Sequence, residues 1–279
     1  MNTVAIIGAG VVAAETARQL AALEVAGEIR LIDPQAAMAA GKALDIQQAG
    51  PIGRFGTRLS GAADPSAASG AAVLVFADRA GTDDAWPLES GLDLVRRLAS
   101  SVPRSPLILA CPDHFELMQL AARELRIDTK RLLGSPPEAL ASAARALLAL
   151  AAGISPTEAS VPVCGIPGGW VFGWSEALVS GRPASAALPP HEIAAVERRV
   201  RASWPPGPYA LSSAAARLAA AVLVRSRRRF TCFAPIEDGE WRGRITAVPI
   251  LAGPEGIAGR QEPALSARER VQLASALSG

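Results

Sequence analysis

Lysine is nearly missing: Lys42 and Lys130 are the only two, so 26 of the 28 basic side chains are arginine. Charge of one sign is missing as well. The 28 basic groups nearly cancel 26 acidic ones, leaving a net charge of +2, and no field of one sign covers the molecule. That balance excludes nucleic acid and an anionic membrane surface as expected partners. Cysteine is scarce, and the odd, widely spaced set Cys111, Cys164 and Cys232 suits neither a disulfide framework nor a zinc site, so no metal is expected. It fits a reducing compartment, and the cytoplasm is the expected location. No 18-residue stretch is free of charge and of Pro or Gly breaks, and MNTVAIIGAG lacks a basic region before its apolar run. Neither a membrane span nor a signal peptide is expected.

What is present is a 279-residue chain, half apolar and 19% charged, ample for a large core in one or two domains. Thr3 to Ile7 is a β-branched and apolar run that stops at Gly8. Helical periodicity follows through VVAAETARQLAALEVAG, with Gly27 as the expected stop, and EIRLID reads as a second strand. The alternation continues through a helix at GKALDIQQAG, strands at TRLSG, AAVLVFA and PLILAC, and a helix near PLESGLDLVRRLASSV. Such alternation predicts a Rossmann-type α/β fold, a doubly wound parallel sheet. After Gly134, Pro136 and Pro137 the texture changes. A long helix, strand-like ASVPVCGI, a Gly/Trp segment, two helices and an antiparallel-looking pair at FTCFA and RITAVPIL follow. The expected division is therefore a first domain over 1–135 and a mixed α+β second domain over 136–279.

Gly8, Gly10 and Ala13 form G-x-G-x-x-A directly between a strand and a helix, and Asp33 ends the next strand. The first glycine permits a tight turn, the second lets a diphosphate approach the backbone, and a small third residue lets helix and strand pack closely. Val11 and Val12 open the helix, whose free N–H groups and positive dipole end favour an anion. Ala77, ending the AAVLVFA strand, is expected to border the same site. Asp33 can accept hydrogen bonds from a ribose diol and would repel a 2′-phosphate, so the expected cofactor is NAD(H) rather than NADP(H).

GAGVVA, LIDPQAAMAAGKALDIQQAGP, GIPGGWVFGWSEALVSGRP and ITAVPILAGPEGI together resemble the lactate/malate dehydrogenase family, nearly end to end. The most specific pieces are the GKALDI helix, the W-S-x-A-x-x-x-G run from Trp174 to Gly181, and V-P-x-x-x-G from Val248 to Gly253. The resemblance implies hydride exchange between a nicotinamide and a 2-hydroxy acid. It also implies a homodimer or homotetramer paired through the helices that follow the nucleotide-binding turns.

That chemistry needs a proton donor, a group to hold it, a guanidinium clamp for the carboxylate and an Asn near the nicotinamide. At the matching positions this chain departs from the family. Pro167 stands at the place of the catalytic His, Leu140 at that of its Asp partner and Ala143 at that of the substrate Arg; a shift of two would recover Arg145 but not the acid. In the mobile loop, Arg79 is the remaining basic residue, among Asp78, Asp83 and Asp84. Cys111 replaces the Asn before Pro112. The expectation is a pseudoenzyme that binds NAD(H) without the family's hydride transfer and takes an unknown small-molecule ligand.

Two alternatives stand beside it. One is an oxidoreductase for a neutral or cationic substrate, with Cys111, Asp113 or His114 moving the proton. The other is a structural subunit without dinucleotide. Asp113 also reads as a helix N-cap with Glu116 completing a capping box. His191 reads as a solvated first-turn residue, Cys164 as a buried strand residue, and Arg225, Arg227, Arg228 and Arg229 as a solvated helix end. Trp170, Phe172 and Trp174 could stack on a ligand, with packing the simpler reading for Trp174.

Overall fold

A computed structural model describes residues 2–81, 86–125, 127–238 and 241–278. Its first half alternates strand and helix: β1 (Thr3–Ile7), α1 (Val11–Ala22), β2 (Glu28–Ile32), α2 (Ala36–Gln48), α3 (Gly50–Gly53), β3 (Arg58–Ala62), β4 (Val73–Phe76), α4 (Leu88–Ser101), β5 (Leu107–Leu109), α5 (His114–Glu124) and β6 (Leu132–Gly134). The second half opens with α6 (Pro136–Ala152), β7 (Ala159–Ser160), β8 (Val163–Ile166), β9 (Gly169–Phe172), β10 (Leu178–Val179) and β11 (Arg182–Pro183). It ends with α7 (Ala184–Ala187), α8 (Pro190–Ala202), α9 (Pro208–Leu223), β12 (Arg229–Pro235), β13 (Ile245–Gly253), β14 (Gly256–Arg260) and α10 (Ala267–Ser278).

One sheet joins both halves in the order β3-β2-β1-β4-β5-β6-β12-β13-β8-β9, with β14 beside β13. Pairs among β1 to β6 are parallel, and every pair from β12 onward is antiparallel. The change falls where Phe233 of β12 registers with Gly134 of β6, next to the proposed boundary at 135. The first half therefore has the doubly wound Rossmann-type α/β order, with β1 central.

Alternation along β1 sends Val4 and Ile6 into one core and Ala5 and Ile7 into the other, because successive strand side chains face opposite sides of the sheet. Both faces are covered, which is why β1 reads as an unbroken apolar run. Alanine-rich α1 and α9 share the first core; their small side chains permit close approach.

The first helix ends at Ala22, well before Gly27. The chain turns at Glu24, whose φ of +51° supplies the left-handed corner expected of the glycine. The Gly/Trp segment is itself strand β9, paired with β8 across the Pro167–Gly168 turn.

Helix α10 is fastened by one buried acid. Glu269 accepts from the amide and hydroxyl of Ser175, at 3.1 and 2.5 Å, and from the amide and hydroxyl of Ser266, both at 2.7 Å. Burial pushes its carboxyl up, but these donors outweigh burial and hold it below the usual glutamate value. Ser175, part of the W-S-x-A run, is thus structural. No helix among the described residues is long and apolar enough to cross a membrane.

Candidate functional site

Strands β1 and β4 are neighbours, with Ile7 beside Phe76, so the turn after β1 and the residues after β4 lie together at one sheet edge. Gly8 takes φ of +110°, and a Cβ there would collide with the Asp78 carbonyl. The Gly10 amide donates to that carbonyl at 2.9 Å. At the start of α1, the amides of Val12 and Ala13 donate to the two carboxylate oxygens of Asp78, at 3.0 and 2.8 Å. A Cβ on Gly10 would run into the same carboxylate. Val11 is exposed and Val12 buried. Lys42 Nζ donates to the Gly10 carbonyl at 3.1 Å.

Asp33 is 1% exposed. Its carboxylate accepts from three amides: Ala9 at 3.0 Å, Gln35 at 2.9 Å and Ala80 at 2.8 Å. Sequence reasoning assigned this side chain to a ribose. In the structure the chain's own backbone supplies its donors.

Cys111 and His114 lie at the end of β5 and the start of α5. Ligand atoms of Cys111, Asp113 and His114 lie within 4.8 Å of one another, a mixed donor set that the cysteine spacing alone did not reveal. Burial pushes the Cys111 thiol well above its usual range, reinforced by the nearby Asp78 and Asp113 charges, so it is not an activated thiolate. Burial also raises Asp113. It drives the His114 imidazole down to about 3, with the Phe76 carbonyl opposing.

His114 Nδ1 accepts the Cys111 amide at 3.3 Å rather than the thiol, and its buried Nε2 meets no hydrogen-bond partner among the described residues. The expected capping box does not form: Asp113 makes no side-chain cap bond, and its φ of −68° and ψ of −14° are helical rather than the extended geometry of a capping residue. Phe76 packs edge-on against this imidazole with centroids 5.1 Å apart.

Pro167 is half-buried in the β8–β9 turn, Leu140 is fully buried among core side chains, and Ala143 is half-buried on α6. Arg145 pairs with Glu138 at 2.7 Å, and the other Glu138 oxygen accepts the Thr231 amide. This pair lines a separate cavity of about 290 Å³ together with Arg229 and Glu176.

The Arg79 guanidinium lies 5.4 Å from the centre of the Trp86 ring. Asp83 and Asp84 lie outside the described residues. Trp170 is buried against Trp204 and Phe233, and Trp174 donates to Glu197 at 2.8 Å, so both indoles pack within the fold. Cys164 is buried, its thiol pushed up to about 12 by burial, and His191 is exposed in the first turn of α8.

No protein-family model matches the chain. The malate dehydrogenase of Thioalkalivibrio sulfidiphilus is 27% identical over 298 residues, covering 100% of this chain and 97% of the relative. The L-lactate dehydrogenase of Geotalea daltonii is 28% identical, covering 97% and 94%. The solved malate dehydrogenase of Salinibacter ruber superposes with a TM-score of 0.89 at 24% identity, over 99% of this chain and 94% of that one. Over nearly its whole length the chain is similar to malate and lactate dehydrogenases, and it has their fold.

Within that family fold, the lactate dehydrogenase of Cryptosporidium parvum, solved with lactic acid and nicotinamide adenine dinucleotide, has a TM-score of 0.88 at 20% identity, over 99% of this chain and 95% of that one. The residues of the present chain do not fit a dinucleotide as they are arranged. A diphosphate on the Val12 and Ala13 amides would coincide with the Asp78 carboxylate, and a ribose would find Asp33 covered by Ala80.

Proposed function

We propose that this is a catalytically silent member of the lactate/malate dehydrogenase family, without 2-hydroxy acid dehydrogenase chemistry. One observation carries the reading. Of the two histidines, His114 is buried and held neutral while His191 is exposed on α8, and neither hydrogen-bonds a carboxylate among the described residues. A carbonyl oxygen that receives hydride at the adjacent carbon needs a positioned proton donor, a contribution of about 10²–10⁴-fold. Pro167, Leu140 and Ala143 bring neither that donor nor a carboxylate clamp.

NAD(H), the cofactor in the Cryptosporidium parvum complex, is the dinucleotide the turn would take once vacated, since Asp33 disfavours a 2′-phosphate. The protein is then a regulatory or structural subunit in the cytoplasm. Three unpaired, buried cysteines agree with a reducing compartment. A homodimer or homotetramer agrees with the apolar side chains that α1, α2 and α3 leave exposed, among them Val11, Leu44 and Ile52.

The second reading, an oxidoreductase for a neutral or cationic substrate, draws on the Cys111, Asp113 and His114 grouping. The protonated thiol and uncharged imidazole disfavour it. Mixing the protein with NAD⁺ and a panel of hydroxy acids, amino alcohols and alcohols will yield no NADH above background. Turnover that His114→Ala abolishes would overturn the silent reading.

A further inference from the structure

One short segment hydrogen-bonds Gly10, Val12, Ala13 and Asp33, groups that a dinucleotide would need. From Ala77 to Gly81 the chain runs off the end of β4 and across the mouth of the β1–α1 turn. It is tied down along its length: the Ala77 amide donates to the Ile7 carbonyl at 2.8 Å, the Trp86 indole donates to the Ala77 carbonyl at 2.8 Å, and Gln35 Nε2 donates to the Ala80 carbonyl at 2.6 Å.

At its centre the two Asp78 oxygens take two successive amides of the first helical turn, as an anion with forked oxygens does at a helix N-terminus. Two residues on, the Ala80 amide donates to the Asp33 oxygen that the Ala9 amide also reaches. A donor now stands where a ribose hydroxyl would, and Ala80 is 1% exposed.

We propose that the Ala77–Gly81 segment is a built-in occupant of the nucleotide site, with the Asp78 carboxylate standing in for a diphosphate and the Ala80 amide for a ribose hydroxyl. Any phosphate-bearing ligand must first displace Asp78. Remaining beside it would set two anions against each other at contact distance, which costs free energy in a half-buried site. The glycine at position 10 keeps a use in this arrangement, because the space a Cβ would fill belongs to Asp78. The motif therefore persists with an internal ligand. This inference is independent of the missing proton relay, since an occupied turn and an absent acid–base pair are separate features.

Inorganic diphosphate is the probe that separates them. Asp78→Ala and Asp78→Asn, each confirmed as folded by cooperative melting, are titrated by calorimetry and by thermal midpoint alongside wild type. Without the charge-assisted bonds to displace, at least one folded variant will bind diphosphate about ten- to a hundredfold tighter than wild type. Its midpoint will rise with diphosphate while the wild-type midpoint stays flat. Wild type binding as tightly as the variants, or folded variants with no gain, overturns the proposal. The hydroxy-acid panel is untouched by either result, so failure here leaves the catalytic reading to its own test.

Discussion

Replacing Phe233 with alanine will lower the free energy of unfolding by about 3–5 kcal/mol, the range for truncating a buried aromatic. Phe233 is 2% exposed and lies where the parallel half of the sheet meets the antiparallel half, in register with Gly134. Its ring touches three others, with centroids 4.7 Å from Phe115, 5.8 Å from Trp170 and 6.4 Å from Trp204. A methyl at Gly134 would come within 2.8 Å of the Phe233 Cβ, so the backbone there cannot collapse easily to fill the void. Urea melts of wild type and Phe233→Ala measure the loss directly. A difference below about 1 kcal/mol, typical of surface positions rather than core ones, would show that this seam does not hold the two halves together.

Acid will expose the second large effect. In the folded protein His114 titrates near 3, against an ordinary value of 6.5, so the unfolded chain binds one more proton throughout the interval. Folded stability from this group is complete above 6.5 and is lost as pH falls toward 3. The slope approaches about 1.4 kcal/mol per pH unit for one proton. Carboxylates that titrate in the same range add their own slopes, so the comparison that isolates His114 is wild type minus His114→Asn. The amide can still accept the Cys111 N–H but takes no proton. The variant's stability curve will be flatter by about one proton across this window. Parallel curves would contradict the buried, neutral imidazole on which the silent reading leans.

Much of the architecture can be read from residue order. Thr3 to Ile7 announces β1 because β-branched residues stop at a glycine, and the FTCFA and RITAVPIL runs announce the antiparallel β12–β13 pair. Short strands such as Leu132–Gly134 escape, since three residues carry no period and their pairing comes from neighbours far along the chain. Helix α10 escapes because its apolar pattern is thin and its anchor, Glu269, finds Ser175 from 94 positions away.

The candidate site divides the same way. The glycine turn is a local pattern and is legible. Its occupant is not, because Asp78 reaches Val12 across 66 positions. A signal did exist: a doubly wound sheet places the ends of β1 and β4 side by side, and an acid two residues past β4 then faces the helix start. Asp33 illustrates the reverse. Its position was legible, but its donors depend on how the Ala80 segment lies.

Calorimetric titration of the wild-type protein with NADH tests most directly whether this dehydrogenase fold has closed its nucleotide site upon itself. No saturable heat will appear. A single-site isotherm that Asp33→Ala abolishes would mean the turn still receives its dinucleotide, and the occupied site described here would be contradicted.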